Sequence, residues 1–278
     1  MGVRFILKEG LKNRVFMVGL VIFLSVFFMA LFASIIAPHS FDEINISKAL
    51  AAPQPQYPFG TDQYGRCIFS RIIYGSRIAF QVGLIVVIIE SVIGITMGLL
   101  AGYYGGWLDR VVMFITDLTW ALPPLIMALA IVTMLGPSLN NVVISIAVVS
   151  WAQFARIVRA KTQAIKNMPF VEAARAFGEG DFNIIIRYIL PNVLSPIIVL
   201  STLALPQAIL STTSLGFLGL GAQPPSPDWG LILSEGINYI RQAPWISVFP
   251  GLAIVYTVLG FNLLGEGLRD LLDPRLKV

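Results

Sequence analysis

Six apolar runs, each near the length of a bilayer crossing, decide what this chain can fold into. They cover residues 15–37, 78–101, 111–135, 139–154, 188–210 and 244–264. An α-helix needs about twenty apolar residues to cross the hydrocarbon layer. Inside lipid every backbone N–H and C=O must find a partner within the protein, which favours helices. Charged residues make up 12% of the chain and hydrophobic ones 56%; soluble domains carry about 25% charged residues. The sequence therefore predicts an all-α polytopic membrane protein with six transmembrane helices. The first run exceeds the apolar core of a signal peptide, about 7–15 residues, and stops at Pro38. It reads as an uncleaved first span.

Prolines and glycines punctuate these runs. Pro123-Pro124 forces a kink or break in the third, and Pro191, Pro196 and Pro206 fall in the fifth. Residues 38–75 hold Pro38, Pro53, Pro55 and Pro58 and cannot span. Within them, 59–66 (FGTDQYGR) reads as a turn-rich knot, and 67–77, carrying Arg71 and Arg77, as an amphipathic segment at the interface. Gly102-Tyr103-Tyr104-Gly105-Gly106 reads as a tight turn beside a boundary Trp107. Trp120 and Trp151 read as packing or boundary residues.

Lys and Arg set the orientation. With Met1 inside, segments 1–14, 102–110, 156–187 and 265–278 hold 14 of the 19 Lys and Arg residues. The bias places both termini in the cytoplasm. The same bias accounts for the net charge of +4 through loops at a lipid surface, with no call for nucleic acid.

Chemistry of its own is missing from the chain. It has no Gly-Lys dipeptide, hence no phosphate-binding loop of the GxxxxGK[ST] type. A single His39 and a single Cys67 leave no histidine metal cluster and no internal disulfide. No catalytic residue, metal ligand or cofactor is expected. Two acids, Glu90 and Asp117, fall inside predicted spans. Intramembrane carboxylates face a cavity or a partner, so these either line a path or hydrogen-bond between helices. A proton-driven transporter using them would show broken helices repeated in its two halves, and no such repeat is visible. An intramembrane protease would want paired aspartate motifs, also missing. A pure scaffold would leave the proline-broken spans unexplained.

One charged island interrupts the apolar pattern, residues 171–192 (VEAARAFGEGDFNIIIRYILPN). Pro169 suits a helix's first turn. Glu172, Arg175 and Glu179 form a charged stripe, while Val171, Ala174 and Gly178 form a small, flat face suited to close approach to another protein. Gly178 and Gly180 can end this helix, and Asp181 can cap the next.

Glu172-Ala173-Ala174, Gly178 and Leu190-Pro191 resemble the EAA loop of ABC-importer permeases, with Tyr188 departing from the usual Ile. Residues 60–84, 102–110, 214–230 and 261–276 resemble the dipeptide, oligopeptide and nickel importers, in their second permease subunit type. Cys67 stands where that family usually has Asp. The resemblance implies a type I ABC-importer permease fold in a prokaryotic inner membrane. Its organisation would be an arm, first span and exterior loop (1–75), a permease domain (76–270) with a coupling helix at about 168–181, and a tail (271–278). Glu172, Ala173, Ala174, Arg175, Gly178 and Pro191 would carry the coupling to ATPases. Implied partners are a second homologous permease, two ATP-binding cassette ATPases holding ATP and Mg, an exterior solute-binding protein, and membrane lipid. The solute stays open among di- and oligopeptides, nickel or its chelates, and oligosaccharides.

Overall fold

The computed structural model describes residues 10 and 12–272. Arg4 and Lys8 of the basic arm and residues 273–278 of the tail lie outside the described residues. The helices are α1 (Arg14–Leu31), α2 (Ala33–Ile36), α3 (Ile68–Tyr104), α4 (Gly106–Thr119), α5 (Pro124–Leu135), α6 (Leu139–Ile165), α7 (Pro169–Ala176), α8 (Asp181–Ile184), α9 (Leu190–Phe217), α10 (Trp229–Gly236) and α11 (Trp245–Leu272). A π-helical turn, Ile185–Ile189, joins α8 to α9.

Five of these units are long and apolar enough to cross a membrane, and the bent pair α4–α5 makes a sixth. The direction of packing shows that this pair carries the chain back across. Along α3, a Cβ on Gly94 would meet Trp151 and Phe154, on Gly98 Ala155 and Val158, and on Gly102 Arg159 and Thr162 of α6. Contacts that advance together mean that α3 and α6 run parallel. The chain leaving α3 at Tyr104 must therefore recross before α6 begins at Leu139. The expected break at Pro123-Pro124 is real: α4 and α5 meet at 86°. Pro124 opens α5 at a position where no N–H is needed.

Against this pair, α1 runs antiparallel to α11. Gly19 lies on the Leu264 backbone, Ile22 on Gly260, and the Ser25 and Tyr256 hydroxyls meet at 2.9 Å. The Arg77 side chain of α3 donates to the carbonyl of Ala30 at 2.7 Å, near the end of α1. Together these contacts put the start of α1, the end of α11 and the Tyr104 end of α3 on one face of the bundle.

Several boundaries differ from the sequence expectation. The segment 67–77 is not an interfacial strip. It is the first three turns of α3, whose 37 residues make a rod of about 55 Å, far longer than a bilayer core of about 30 Å. Those turns are roofed by protein instead of lying along lipid. The turn expected over 102–106 shrinks to Gly105, because helix continues through Tyr104 and resumes at Gly106. The fourth span extends to Ile165. Residues 75 and 76 both lie inside α3.

The roof over α3 is built from the knot and the 222–243 segment. Asp62, Arg66 and Arg71, all buried, meet Glu235 in a four-member ion cluster. Arg71 Nη1 donates to Asp62 at 2.7 Å and to Glu235 at 2.9 Å, while Arg66 Nη2 donates to Glu235 at 2.9 Å. The two cations and two carboxylates balance, which is what makes burial of Asp62, Arg66 and Arg71 beside a partly exposed Glu235 tolerable. Trp229 Nε1 donates to the Ile72 carbonyl and Trp245 Nε1 to the Thr61 carbonyl, both at 3.0 Å. Asp228 caps α10 by accepting from the Leu231 N–H at 3.0 Å. Burial holds its carboxyl above the usual carboxylate range.

Candidate functional site

On the face opposite this roof, the chain between α6 and α9 makes a short lever. Met168 precedes α7 in an extended conformation and Pro169 starts it. Eight residues later the helix stops in a two-bond cap: the Gly178 N–H donates to the Arg175 carbonyl at 3.0 Å, and the Glu179 N–H to the Ala174 carbonyl at 3.1 Å. This is the Schellman arrangement, which needs a left-handed residue after the last turn. Gly178 fills it with φ +83°. A Cβ there would meet no atom within 4 Å, so the requirement at the backbone is one of conformation, not of space.

Two parts of the expected surface are thereby corrected. Gly178 lies beyond the helix and is not on its small face. Val171 and Ala174 are buried, and they face this protein's own core, against Tyr103, Ile165, Ile184 and Ile185. Likewise Glu179 belongs to no stripe with Glu172 and Arg175. It accepts from Asn183 Nδ2 at 3.0 Å and approaches Arg187 at 4.0 Å. Asp181 is the first residue of α8, with Gly180 as its cap. The Asp181 carboxylate instead accepts from the Tyr103 hydroxyl at 2.6 Å and ties α8 to the end of α3.

What α7 presents outward is a different set. Glu172, Ala173, Arg175 and Ala176 are exposed, flanked by Phe170 and by Phe177, which is 90% exposed. Two unburied phenylalanines beside an exposed acid and an exposed base give this face a mixed apolar and charged surface. Glu172 lies in the first turn and Arg175 in the last, each favoured there by the helix dipole. Pro191 sits in the first turn of α9, after the π turn. Its missing N–H leaves the Arg187 carbonyl without the usual helical donor. The next carbonyl, Tyr188, takes the Asn192 side-chain amide at 2.6 Å.

The two intramembrane acids part company. Glu90 is buried and lines a cavity of about 290 Å³ between α3, α6, α9 and α11. Asp117 lies elsewhere, in α4, with a side chain 68% exposed and paired to Arg156 of α6. The guanidinium of Arg156 also stacks over Trp120, 5.0 Å from the ring centre. Asp109 holds Arg159 in the same way one helical stretch away, with Nη2 to Oδ2 at 2.6 Å. The α4–α6 ion pairs and the Glu90 cavity are separate features: Asp117 is not among the residues lining that cavity. Trp151 packs in the interior as expected, against Ala101, Val112 and Ala155.

Sequence reasoning missed the partners of Glu90 and the Gly94, Gly98, Gly102 stripe. The stripe was visible as glycine at every fourth residue, a small-xxx-small pattern of close helix approach. The cavity had no signal, because Ser150, Gln153, Gln207 and Asn262 come from three different helices.

Comparison with known proteins bears on this arrangement. Residues 94–278 match the family described as binding-protein-dependent transport system inner membrane component. Residues 7–53 match the N-terminal transmembrane domain of oligopeptide transport permease C. The dipeptide transport system permease protein DppC of Alkalihalophilus pseudofirmus is 47% identical over 97% of this chain and 89% of its own. The glutathione transport system permease protein GsiD of Pectobacterium atrosepticum is 46% identical over 81% and 75%. DppC of Haemophilus influenzae is 42% identical over 96% and 92%. Among solved structures, a chain of the MetNI methionine ABC transporter superposes with a TM-score of 0.58 at 19% identity, covering 73% of this chain and 96% of that one. At that identity the likeness is one of fold.

Proposed function

This chain belongs to the family of binding-protein-dependent transport system inner membrane components, and from that premise we propose that it forms half of an ATP-driven import path for di- and oligopeptides. As a permease subunit it is not itself an enzyme. ATP and Mg are held by two separate ATPase subunits, a second homologous permease completes the path, and an exterior binding protein delivers the solute. The relatives named for dipeptide and glutathione transport favour peptides over nickel, metal chelates or oligosaccharides. The membrane is the prokaryotic inner membrane, and the face bearing α7 and both described ends is cytoplasmic, as the Lys and Arg bias requires.

The observation that carries the reading is the exposed face of α7. Phe170, Glu172, Ala173, Arg175 and Phe177 would dock on the ATPase. Val171 and Ala174, packed under the ends of α3, α6 and α8, would pass its movement into the membrane. The ATPase site is thus the outer face of the helix, not the Ala174–Gly178 face. Burying one phenylalanine is worth about 1.5–3 kcal/mol, a factor of roughly ten to a hundred in association.

The test is co-purification. In the complete complex, Phe177→Asp and Glu172→Lys should leave the two permeases paired in the membrane. Recovery of the ATPases and uptake of peptide should fall together. ATPases recovered at wild-type yield with both variants would mean that this loop is only solvated.

A further inference from the structure

Glu90 is 3% exposed, and no cationic side chain pairs with it among the described residues. Tyr104 ends α3 fourteen residues later, a rise of about 21 Å, so Glu90 sits deep in a hydrocarbon layer about 30 Å thick. A carboxylate so placed calls for a positive partner. The walls around it supply neutral groups only: Ser150 and Gln153 from α6, Gln207 and Ser211 from α9, and Asn262 from α11. The amides of Gln153, Gln207 and Asn262 can each donate and accept, which matches the alternating N–H and C=O of a peptide. No group of three or more His, Cys, Asp or Glu side chains able to hold a metal occurs among the described residues, so one acid among amides and hydroxyls suits a singly charged organic cation. The volume, about 290 Å³, is at the lower end of small-ligand pockets, about 300–1,000 Å³.

From this arrangement we propose that the cavity is a solute site within the permease, in which Glu90 receives the free ammonium group of a peptide and the Gln153, Gln207 and Asn262 amides receive its backbone. The inference rests on the peptide reading given above for the solute class. Glu90 is then the counter-ion that selects solutes with an unblocked amino terminus. A merely structural Glu90 would have no stake in the charge at that end.

The experiment uses the complete permease–ATPase complex in nanodiscs, without the exterior binding protein, carrying Ser211→Cys as a reporter on the cavity wall. Labelling by a small maleimide is timed with alanyl-alanine or N-acetyl-alanyl-alanine present. Alanyl-alanine should slow labelling and the acetylated peptide should not, by roughly tenfold, as loss of a charge-assisted contact implies. Glu90→Gln should abolish the difference and Glu90→Asp should retain part of it. Equal protection by both peptides, protection by neither, or protection unchanged in Glu90→Gln would overturn the inference. If Glu90→Gln yields no assembled complex, the comparison of the two peptides on the Glu90 protein alone decides. Uptake of alanyl-alanine by the complete system is scored separately, and failure there alone would count against the peptide reading of function.

Discussion

Gly178 offers a direct test of what the end of α7 requires, because two physical accounts rank its substitutions differently. If the position were a close contact, cost would grow with side-chain volume: Ala mildest, then Asn, then Leu. The structure gives no neighbour within 4 Å and a φ of +83°. There the penalty comes from the left-handed backbone, about 1–2 kcal/mol for an ordinary L-residue. Asn is the residue other than Gly that best tolerates this region. The expected order is Gly best, Asn next, and Ala and Leu worst and alike. A cost of 1–2 kcal/mol shifts a local equilibrium by roughly 5–30-fold. It would fall on the Schellman bonds from Gly178 and Glu179, so the last turn of α7, which carries Arg175 and leads into Phe177, would fray. The readout is ATPase recovery from membranes holding the complete complex, normalised to the amount of assembled permease pair. Ala tolerated better than Asn would refute the backbone account and restore a packed contact at this position.

Two further perturbations probe the frame around the site. Arg71→Met should destabilise the assembled permease by about 3–5 kcal/mol, since it strands buried Asp62 and partly buried Glu235 with one cation between them; the double change Arg71→Met with Glu235→Leu leaves Asp62 and Arg66 as a neutral pair and should recover much of the loss, measured as thermal unfolding of the complex, and a double variant worse than the single would sink the charge-balance reasoning. Gly98→Leu should prevent α3 from seating on α6, because even a Cβ there would lie 2.7 Å from the Ala155 carbonyl oxygen and from Val158 Cβ; the amount of assembled permease should drop sharply, and normal amounts would mean that this crossing is looser than it looks.

The number of crossings and the position of the lever were legible in the sequence because each depends on local pattern. Apolar length sets a span, Pro169 starts α7, and Gly178 ends it. The segment 67–77 was misread for a physical reason. Arg71 and Arg77 on an apolar strip look interfacial when no protein is assumed to cover them. Here Asp62, nine positions earlier, and Glu235, in a distant segment, close over Arg71, while the carbonyl of Ala30 takes Arg77. The small face of α7 was misassigned in the same manner. Val171 and Ala174 have the spacing of a docking surface, but spacing cannot say which of two bodies it docks on. The two exposed phenylalanines, Phe170 and Phe177, bracket the motif, and their outward placement follows only from where α3 and α8 lie.

The path from α7 to Glu90 follows from the same packing. α7 sits on Val171 and Ala174 beneath Tyr103 and Ile165, the ends of α3 and α6. Those two helices are pressed together at Gly94, Gly98 and Gly102, with backbone against side chain over two turns. So close a crossing does not slide, since each glycine is a notch filled by Phe154, Val158 or Thr162, and interiors packed to this density shift as blocks. Glu90 lies one turn beyond Gly94 on the same helix. Another cavity wall, α9, carries breaks: Pro196 and Pro206 interrupt its hydrogen-bond ladder, and the π turn Ile185–Ile189 lies at its foot. Under the proposed docking of an ATPase on α7, a push there would meet the close α3–α6 pair on one side and the proline-broken α9 on another. The displacement so produced would reshape the cavity that Glu90 and Gln207 both line, where the proposed solute would rest.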